Sequence, residues 1–181
     1  KLEKYKGCHE FVRAILLLFK QGVKDIHALV IGTGNEEMAL KKLVEKNHLV
    51  NNFTFIDRLP HEQIFAAHKL SDIYVSMNHL GNLSNSNLEA IQSNSCMVVP
   101  TQQMDNGIDV VTNKLLGNSV VTTPIKSPDI LAKALDALIS SKDKRSEMSN
   151  LIRTKKKEFL WSWDERVAVE MRLLVDLMAD K

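Results

Sequence analysis

Apolar residues along this chain follow two alternating patterns, one with helical spacing and one in short continuous runs. Between about residues 7 and 22, Phe11, Ile15, Leu18 and Phe19 recur at helical spacing, and Gly22 supplies the stop. Residues 26–31 form a near-continuous apolar run that predicts a buried strand ending at Gly32-Thr33-Gly34. Asn35, followed by Glu36 and Glu37, predicts an N-cap with acids in the first turn, and the helix it opens runs to about Asn47. The alternation then repeats, with strands over 53–56, 72–75 and 97–100 and helices over 60–70 and 83–93. Residues 118–121 predict a last short strand. Ser127-Pro128-Asp129 predicts a helix start with Ser127 as N-cap and Pro128 at the first helical position. Helices over 130–140, 144–157 and 162–180 follow. A βα unit repeated in this way predicts an α/β fold, a Rossmann-like doubly wound parallel sheet with helices on both faces. The chain shows no internal repeat, low-complexity stretch or long linker, so residues 1–181 are expected to form a single domain.

Composition narrows the partners more than it changes the fold. With 181 residues, 44% hydrophobic and 25% charged, the chain suits a single soluble domain with a buried core. A formal charge of +2 argues neither for nor against nucleic acid, but no basic stripe with aromatic or Arg base readers is visible, and no nucleic-acid partner is expected. Cys8 and Cys96 lie in apolar surroundings outside any CxxC or Cys/His ligand pattern, so a reduced compartment is expected, without a metal site. No apolar run approaches the roughly 18–20 residues that span a bilayer, and no signal-peptide pattern opens the chain. The expected location is therefore cytoplasmic.

In a doubly wound sheet, ligands bind beyond the carboxyl ends of the strands, so the loops there are the candidates. Gly32-Thr33-Gly34 is half of a dinucleotide fingerprint, but Glu37 stands where a third glycine belongs, and the adjacent acids favour a plain turn. Arg58-Leu59-Pro60 lies between a strand and a helix. Lys1, Lys4 and Lys6 gather positive charge with only Glu3 among them. The segment from Asn78 to Glu89 is dense in amides, hydroxyls and glycine but holds no strong nucleophile, which fits a polyhydroxylated ligand better than covalent catalysis. Arg153 to Lys157 reads as a solvated helix face rather than a membrane patch. Trp161, Trp163, Val167, Met171, Leu174 and Met178 give the last helix an apolar stripe, which either packs on this domain or is left exposed for a partner.

Six segments in order resemble the C-terminal domain of the group 1 family of retaining GT-B glycosyltransferases typified by sucrose and glycogen synthases. Lys1-Leu2-Glu3-Lys4-Tyr5-Lys6-Gly7 is similar to the family's "R-L-x-x-x-K-G", and Val30-Ile31-Gly32-Thr33-Gly34 to "v-I-G-x-G". Residues 53–59 resemble "v-x-F-x-G-x-v", residues 70–76 "x-A-D-x-x-v-x-P-S", and Leu88-Glu89-Ala90-Ile91 with Met97 to Pro100 "L-E-A-m…P-V-V-a". Residues 161–166 resemble the aromatic segment that opens the family's last helix. The departures are specific. Gly81 stands where the first of two spaced glutamates belongs, Glu89 being the second. Asn82-Leu83-Ser84 replaces "G-F-G", Lys1 replaces Arg, Asp57 replaces Gly, and the "G-G-x-x-E" loop is blurred into residues 102–109.

The resemblance implies a glycosyltransferase, with this chain as the half that binds the nucleoside diphosphate sugar donor for retaining, metal-independent transfer. It implies no cofactor, and inactivity without an N-terminal acceptor-binding domain, whose longer chain would also allow peripheral membrane contact. Lys6 and Lys1 would stabilise the departing diphosphate, which needs fixed positive charge. Arg58 and Leu59 would hold the base through backbone groups, Asn82, Leu83, Ser84 and Asn85 would line the donor, and Glu89 would accept from the ribose hydroxyls. The alternatives are a degenerate non-catalytic GT-B domain, a sugar-nucleotide epimerase, or a flavodoxin-like interaction module.

Overall fold

Every strand pairing in the computed structural model is parallel, because each strand returns through a helical crossover. The model describes residues 1–102 and 109–179. Its elements are α1 (Cys8–Lys20), β1 (Ala28–Ile31), α2 (Glu37–Lys46), β2 (Phe53–Ile56), α3 (His61–Leu70), β3 (Tyr74–Val75), α4 (Asn85–Gln92) and β4 (Met97–Pro100). They continue with α5 (Val110–Leu116), β5 (Val121–Thr123), α6 (Pro128–Ile139), α7 (Lys142–Lys155) and α8 (Trp163–Ala179).

The pleat of β4 divides the interior into two faces. Met97 and Val99 point into a cluster with Ala90 and Ile91 of α4, Leu116 of α5, Val120 and Ile152 of α7. Val98 points the other way, into a larger cluster built on Val12, Ile15 and Leu18 of α1 and Leu131, Leu135 and Leu138 of α6. Strand alternation therefore places helices on both sides, as a doubly wound fold requires. Leu18, Leu131, Leu138 and Ile152 are fully buried, each worth about 1.5–3 kcal/mol of transfer free energy.

The expected single sheet is formed as two pieces, β1 with β2 and β3-β4-β5, which share the α1–α6 core. The Gly32 amide donates to the Ile56 carbonyl at 2.8 Å, so the alternate residues Leu29 and Ile31 turn their backbone groups away from β2. On that far side the Leu2 amide donates to the Thr33 carbonyl, just beyond the end of β1. Tyr74 and Ser76 donate to the Cys96 and Val98 carbonyls, which turns Val75 away from β4. Among the described residues no strand pairs with these far edges of β1 and β3.

Several local expectations shift for identifiable reasons. Asn35 does not cap α2: its side-chain amide donates to Glu3, and Glu36 occupies the N-cap. Ser127 makes no capping bond either, its hydroxyl being spent on the Ile125 carbonyl, although Pro128 does open α6. The last strand begins at Val121, where the predicted run ended, because residues 117–119 form a 3-10 turn. Helix α5 was missed altogether. Asp109 starts it, accepting from the Val111 amide at 2.8 Å and the Thr112 hydroxyl at 2.7 Å. Hydrogen bonding from Thr112 holds the Asp109 carboxyl below the usual carboxylate range.

Helix α8 contributes no buried residue, and the six stripe residues are all exposed, from 46% for Trp161 to 78% for Trp163 and Met178. Packing of the whole stripe on this domain's own sheet is thereby ruled out. Burying no apolar side chain here, α8 adds little to the stability of the rest. Deleting residues 162–181 is expected to leave thermal unfolding cooperative and the midpoint within about 3 °C of the parent, the low end of the roughly 3–12 °C that loss of one buried side chain would cost. A loss of cooperativity on deletion, seen by differential scanning calorimetry, would show that α8 belongs to the folding unit.

Candidate functional site

The first seven residues lie across the carboxyl ends of both sheets. Leu2, 3% exposed, anchors them: its amide donates to Thr33 and its carbonyl accepts from the Glu36 amide at 3.0 Å. The backbone comes so close that a Cβ on Gly34 would overlap the Leu2 carbonyl. The Gly32-Thr33-Gly34 turn thus serves the chain's own N-terminal segment, in keeping with a plain turn. Further on, the Tyr5 carbonyl accepts from the His79 amide at 2.8 Å, beyond the end of β3. Gly7 has φ 69°, and a Cβ there would overlap the Met77 carbonyl. Glycine is required at this position both by the backbone angle and by the close approach.

This segment brings two of the sequence-predicted residues to the strand ends. Lys1 is exposed beside Gly32, and Lys6 is half-buried at the end of a 3-10 turn, its Nζ 5.1 Å from the Tyr5 ring centroid. Arg58, exposed, and Leu59, half-buried, follow β2. Glu89 sits one turn inside α4 rather than at its start, with its side chain 20% exposed and Oε1 3.8 Å from Nδ1 of His61 at the start of α3. That contact joins the region after β2 to α4.

The Asn-rich segment is largely occupied with itself. The Asn78 side-chain amide donates to Asn82 Oδ1 at 2.7 Å, and Asn78 Oδ1 accepts from the Leu80 amide. Asn87, 2% exposed, donates to the Asn82 carbonyl and accepts from the Tyr74 hydroxyl at 2.9 Å. Burial pushes the Tyr74 hydroxyl up to about 12, so it remains a donor at neutral pH. Ser84 caps α4, accepting from the Asn87 amide, and Leu83 packs against the α4–α7 cluster. The density of amides therefore builds a braced loop, and Asn85 is left exposed at its tip. The blurred diphosphate loop falls mostly on residues 103–108, outside the described residues.

Sequence reasoning missed one buried pair. Glu10 of α1 is 8% exposed, with one oxygen 2.5 Å from His79 Nε2 and the other 2.6 Å from the Lys126 amide. The available signal was an acid on a helix whose neighbours Val12, Ala14 and Ile15 are all apolar.

Other features lie elsewhere. A groove lined by Asp72, Arg145 and Arg153 is at the amino end of β3 and holds none of the candidate residues. In the basic stretch, Lys155 pairs with Glu158 at 2.7 Å and Lys156 donates to the Gln92 carbonyl, so part of that charge is used inside the fold. Among the described residues no group of three or more His, Cys, Asp or Glu could hold a metal ion, and no helix is long and apolar enough to cross a membrane.

Gly81 has φ 66° and is buried in the turn, its amide bonded to the Asn78 carbonyl. Restoring the expected glutamate as Gly81→Glu should cost roughly 1–2 kcal/mol, the strain of a left-handed L-residue. Urea unfolding of the variant measures it, and an unchanged midpoint would mean that the loop readily adopts another conformation.

Three comparisons place the chain among known proteins. Residues 1–155 match the family model described as glycosyl transferases group 1. An uncharacterized glycosyltransferase, MJ1069 of Methanocaldococcus jannaschii, is 29% identical over 146 residues, which are 80% of this chain and 36% of that protein. The chain thus spans about a third of the length of that relative. Among solved structures, the C-terminal domain of a glycosyl transferase group 1 family protein, LpcC of Francisella tularensis, superposes with TM-score 0.73 at 22% identity, over 88% of this chain and 82% of that one. Sucrose-phosphate synthase of Thermosynechococcus elongatus gives TM-score 0.76 at 14% identity, over 99% of this chain and 44% of that one. With its parallel α/β fold and a family match over residues 1–155, this chain belongs to the glycosyl transferases group 1 family.

Proposed function

We propose that this chain binds a nucleoside diphosphate sugar and forms the donor half of a retaining, metal-independent glycosyltransferase whose acceptor half lies in a separate domain. The observation that carries this reading is convergence at one edge. The Lys1–Gly7 segment touches the carboxyl ends of β1 and β3, and the His61–Glu89 contact joins the loop after β2 to α4. Lys1 and Lys6, Arg58 and Leu59, the Asn82 to Asn85 turn and Glu89 all belong to these connected segments.

Chemistry assigns each part. A departing diphosphate needs fixed positive charge, and Lys6 at its glycine-determined position, with Lys1, supplies it without a metal or other cofactor. The backbone at Arg58 and Leu59 faces the base. Glu89 accepts hydrogen bonds from vicinal ribose hydroxyls, for which an ionised carboxylate has the necessary lone pairs. Asn82 and Asn85 are exposed amides available to the donor, while Leu83 and Ser84 shape the turn. The acceptor-binding domain would cover the exposed stripe of α8, consistent with a match that spans only 36% of the relative's length.

Binding and transfer should separate. The 181-residue chain is expected to bind at least one of UDP, GDP and ADP, with affinity unchanged by EDTA, and to transfer no sugar to any acceptor, since one half-site cannot orient two substrates. Transfer by this chain alone, or collapse of affinity on chelation, would overturn the reading.

The second test is residue-specific. Glu89→Gln keeps the size of the side chain but loses charge-assisted hydrogen bonds worth about 1.5–3 kcal/mol each. Calorimetric titration should show binding at least tenfold weaker in Glu89→Gln, and weaker also in Lys6→Ala, with normal melting curves. Full affinity in a folded Glu89→Gln would move the ribose site elsewhere.

A further inference from the structure

A carboxylate is an expensive residue to place on the inward face of a helix. Glu10 shares that face of α1 with Ala14 and Leu18, both fully buried and packed in the α1–α6 core, where an apolar side chain would fill the position without loss of hydration. It is retained with both oxygens satisfied, and neither partner is on its own helix. One is the ring of His79, beyond β3, at hydrogen-bond distance from Oε1; the other is the main-chain amide of Lys126, beyond β5, which donates to Oε2 at 2.6 Å. Lys126 has φ 58°, an uncommon backbone angle for a residue with a side chain, so its amide is held by this bond in a conformation that it would otherwise tend to leave.

His79 is gripped a second time, through its backbone. Its amide donates to the Tyr5 carbonyl, one residue before Lys6. The next residue, Leu80, accepts from the Asp109 amide at 2.9 Å, which ties in the start of α5. The single carboxylate of Glu10 therefore joins two loops to the first turn of α1, and the backbone of His79 and Leu80 extends the link to Tyr5 and Asp109. The turn from Gly81 to Ser84 departs directly from this knot.

We propose that Glu10 is a positioning residue for the donor site: through His79 and the Lys126 amide it fixes the 79–84 turn against the Lys4–Gly7 segment. The inference rests on the donor reading for its functional consequence, but the clamp itself is a statement about loop order. Its action is indirect. Glu10 touches no ligand, and it works by setting the distance between the Lys6 cation and the turn that leads to Glu89.

The test compares Glu10→Leu, Glu10→Gln and His79→Leu with the parent chain. Gln retains an acceptor for the Lys126 amide, whereas Leu retains none. Three readouts are taken: the proton chemical shift of the Lys126 amide, hydrogen exchange of residues 79–84, and affinity for UDP, GDP and ADP. In the parent the Lys126 amide should resonate far downfield, as expected for a short bond to a carboxylate. It should move upfield partly in Glu10→Gln and fully in Glu10→Leu. Exchange in residues 79–84 should rise at least tenfold in Glu10→Leu and His79→Leu, and any diphosphate the parent binds should bind them at least fivefold more weakly, with Glu10→Gln restoring most of both. A folded Glu10→Leu with parental exchange in 79–84 overturns the clamp. Faster exchange with unchanged diphosphate affinity overturns the positioning role. If the parent binds none of the three nucleotides, the donor reading fails and exchange alone decides the clamp. Should Glu10→Leu not fold, His79→Leu carries the exchange and affinity comparisons, since it removes the ring and leaves the Lys126 bond in place.

Discussion

The seating of residues 1–7 across the strand ends is the constraint on which the rest of this molecule depends. Two sheets that share a core but no backbone hydrogen bonds need a crosslink, and this segment provides one on each side: Leu2 to Thr33 and Tyr5 to His79. Both crosslinks require main chain to approach main chain more closely than a Cβ allows. Gly34 and Gly7 meet that requirement. Lys6 precedes Gly7 directly, so the position of its cation follows from sterics. Had Gly7 been any other residue, the turn would stand off from Met77 and the lysine with it.

The loop after β3 is braced as well. A fixed distance between the proposed Lys6 cation and this loop requires that the loop hold its shape. The Asn78–Asn87 network supplies the rigidity. Asn87 bridges the Tyr74 hydroxyl and the Asn82 carbonyl, while Asn78 bridges Asn82 and the Leu80 amide. Each amide pairs with one donor and one acceptor of the loop or of β3. Most of the polar groups that give the segment its ligand-binding look are therefore structural. Gly81 belongs to the same economy: in the left-handed region it closes the turn, and a glutamate at that position would be strained.

Strand-helix alternation was legible in the sequence because it depends on local patterning. Phe53 to Ile56 and Met97 to Pro100 are strands as expected, since continuous apolar runs between polar breaks have few other outcomes. What went unread was fixed by distant partners. Asn35 and Ser127 look like caps, but Glu3 and the Ile125 carbonyl take their side chains. Val110-Val111-Thr112 is rich in β-branched residues and poor in helix propensity, and it is helical because Asp109 caps it and Leu116 is buried. The Glu10–His79 pair joins residues 69 positions apart, a separation that no periodicity reports. Of the candidate site, the loops could be named from the fold pattern, whereas the role of each side chain within them was set by contacts that only the folded chain discloses.

Helix α8 shows the opposite situation, an apolar pattern that none of the described residues buries. Its stripe of Trp163, Val167, Met171, Leu174 and Met178 is accompanied by Leu173 and Leu177, four residues apart on a different side, and all are more than half exposed or nearly so. A helix that only rested on a surface would need one apolar row. The two rows together make the apolar face of α8 broader than a single stripe. Arg166 and Glu170 satisfy each other at 2.9 Å on the same side as Leu173 and Leu177, one to two turns earlier. Among the described residues, neither core cluster holds a residue of α8, so its apolar surface takes no part in the core of the domain itself.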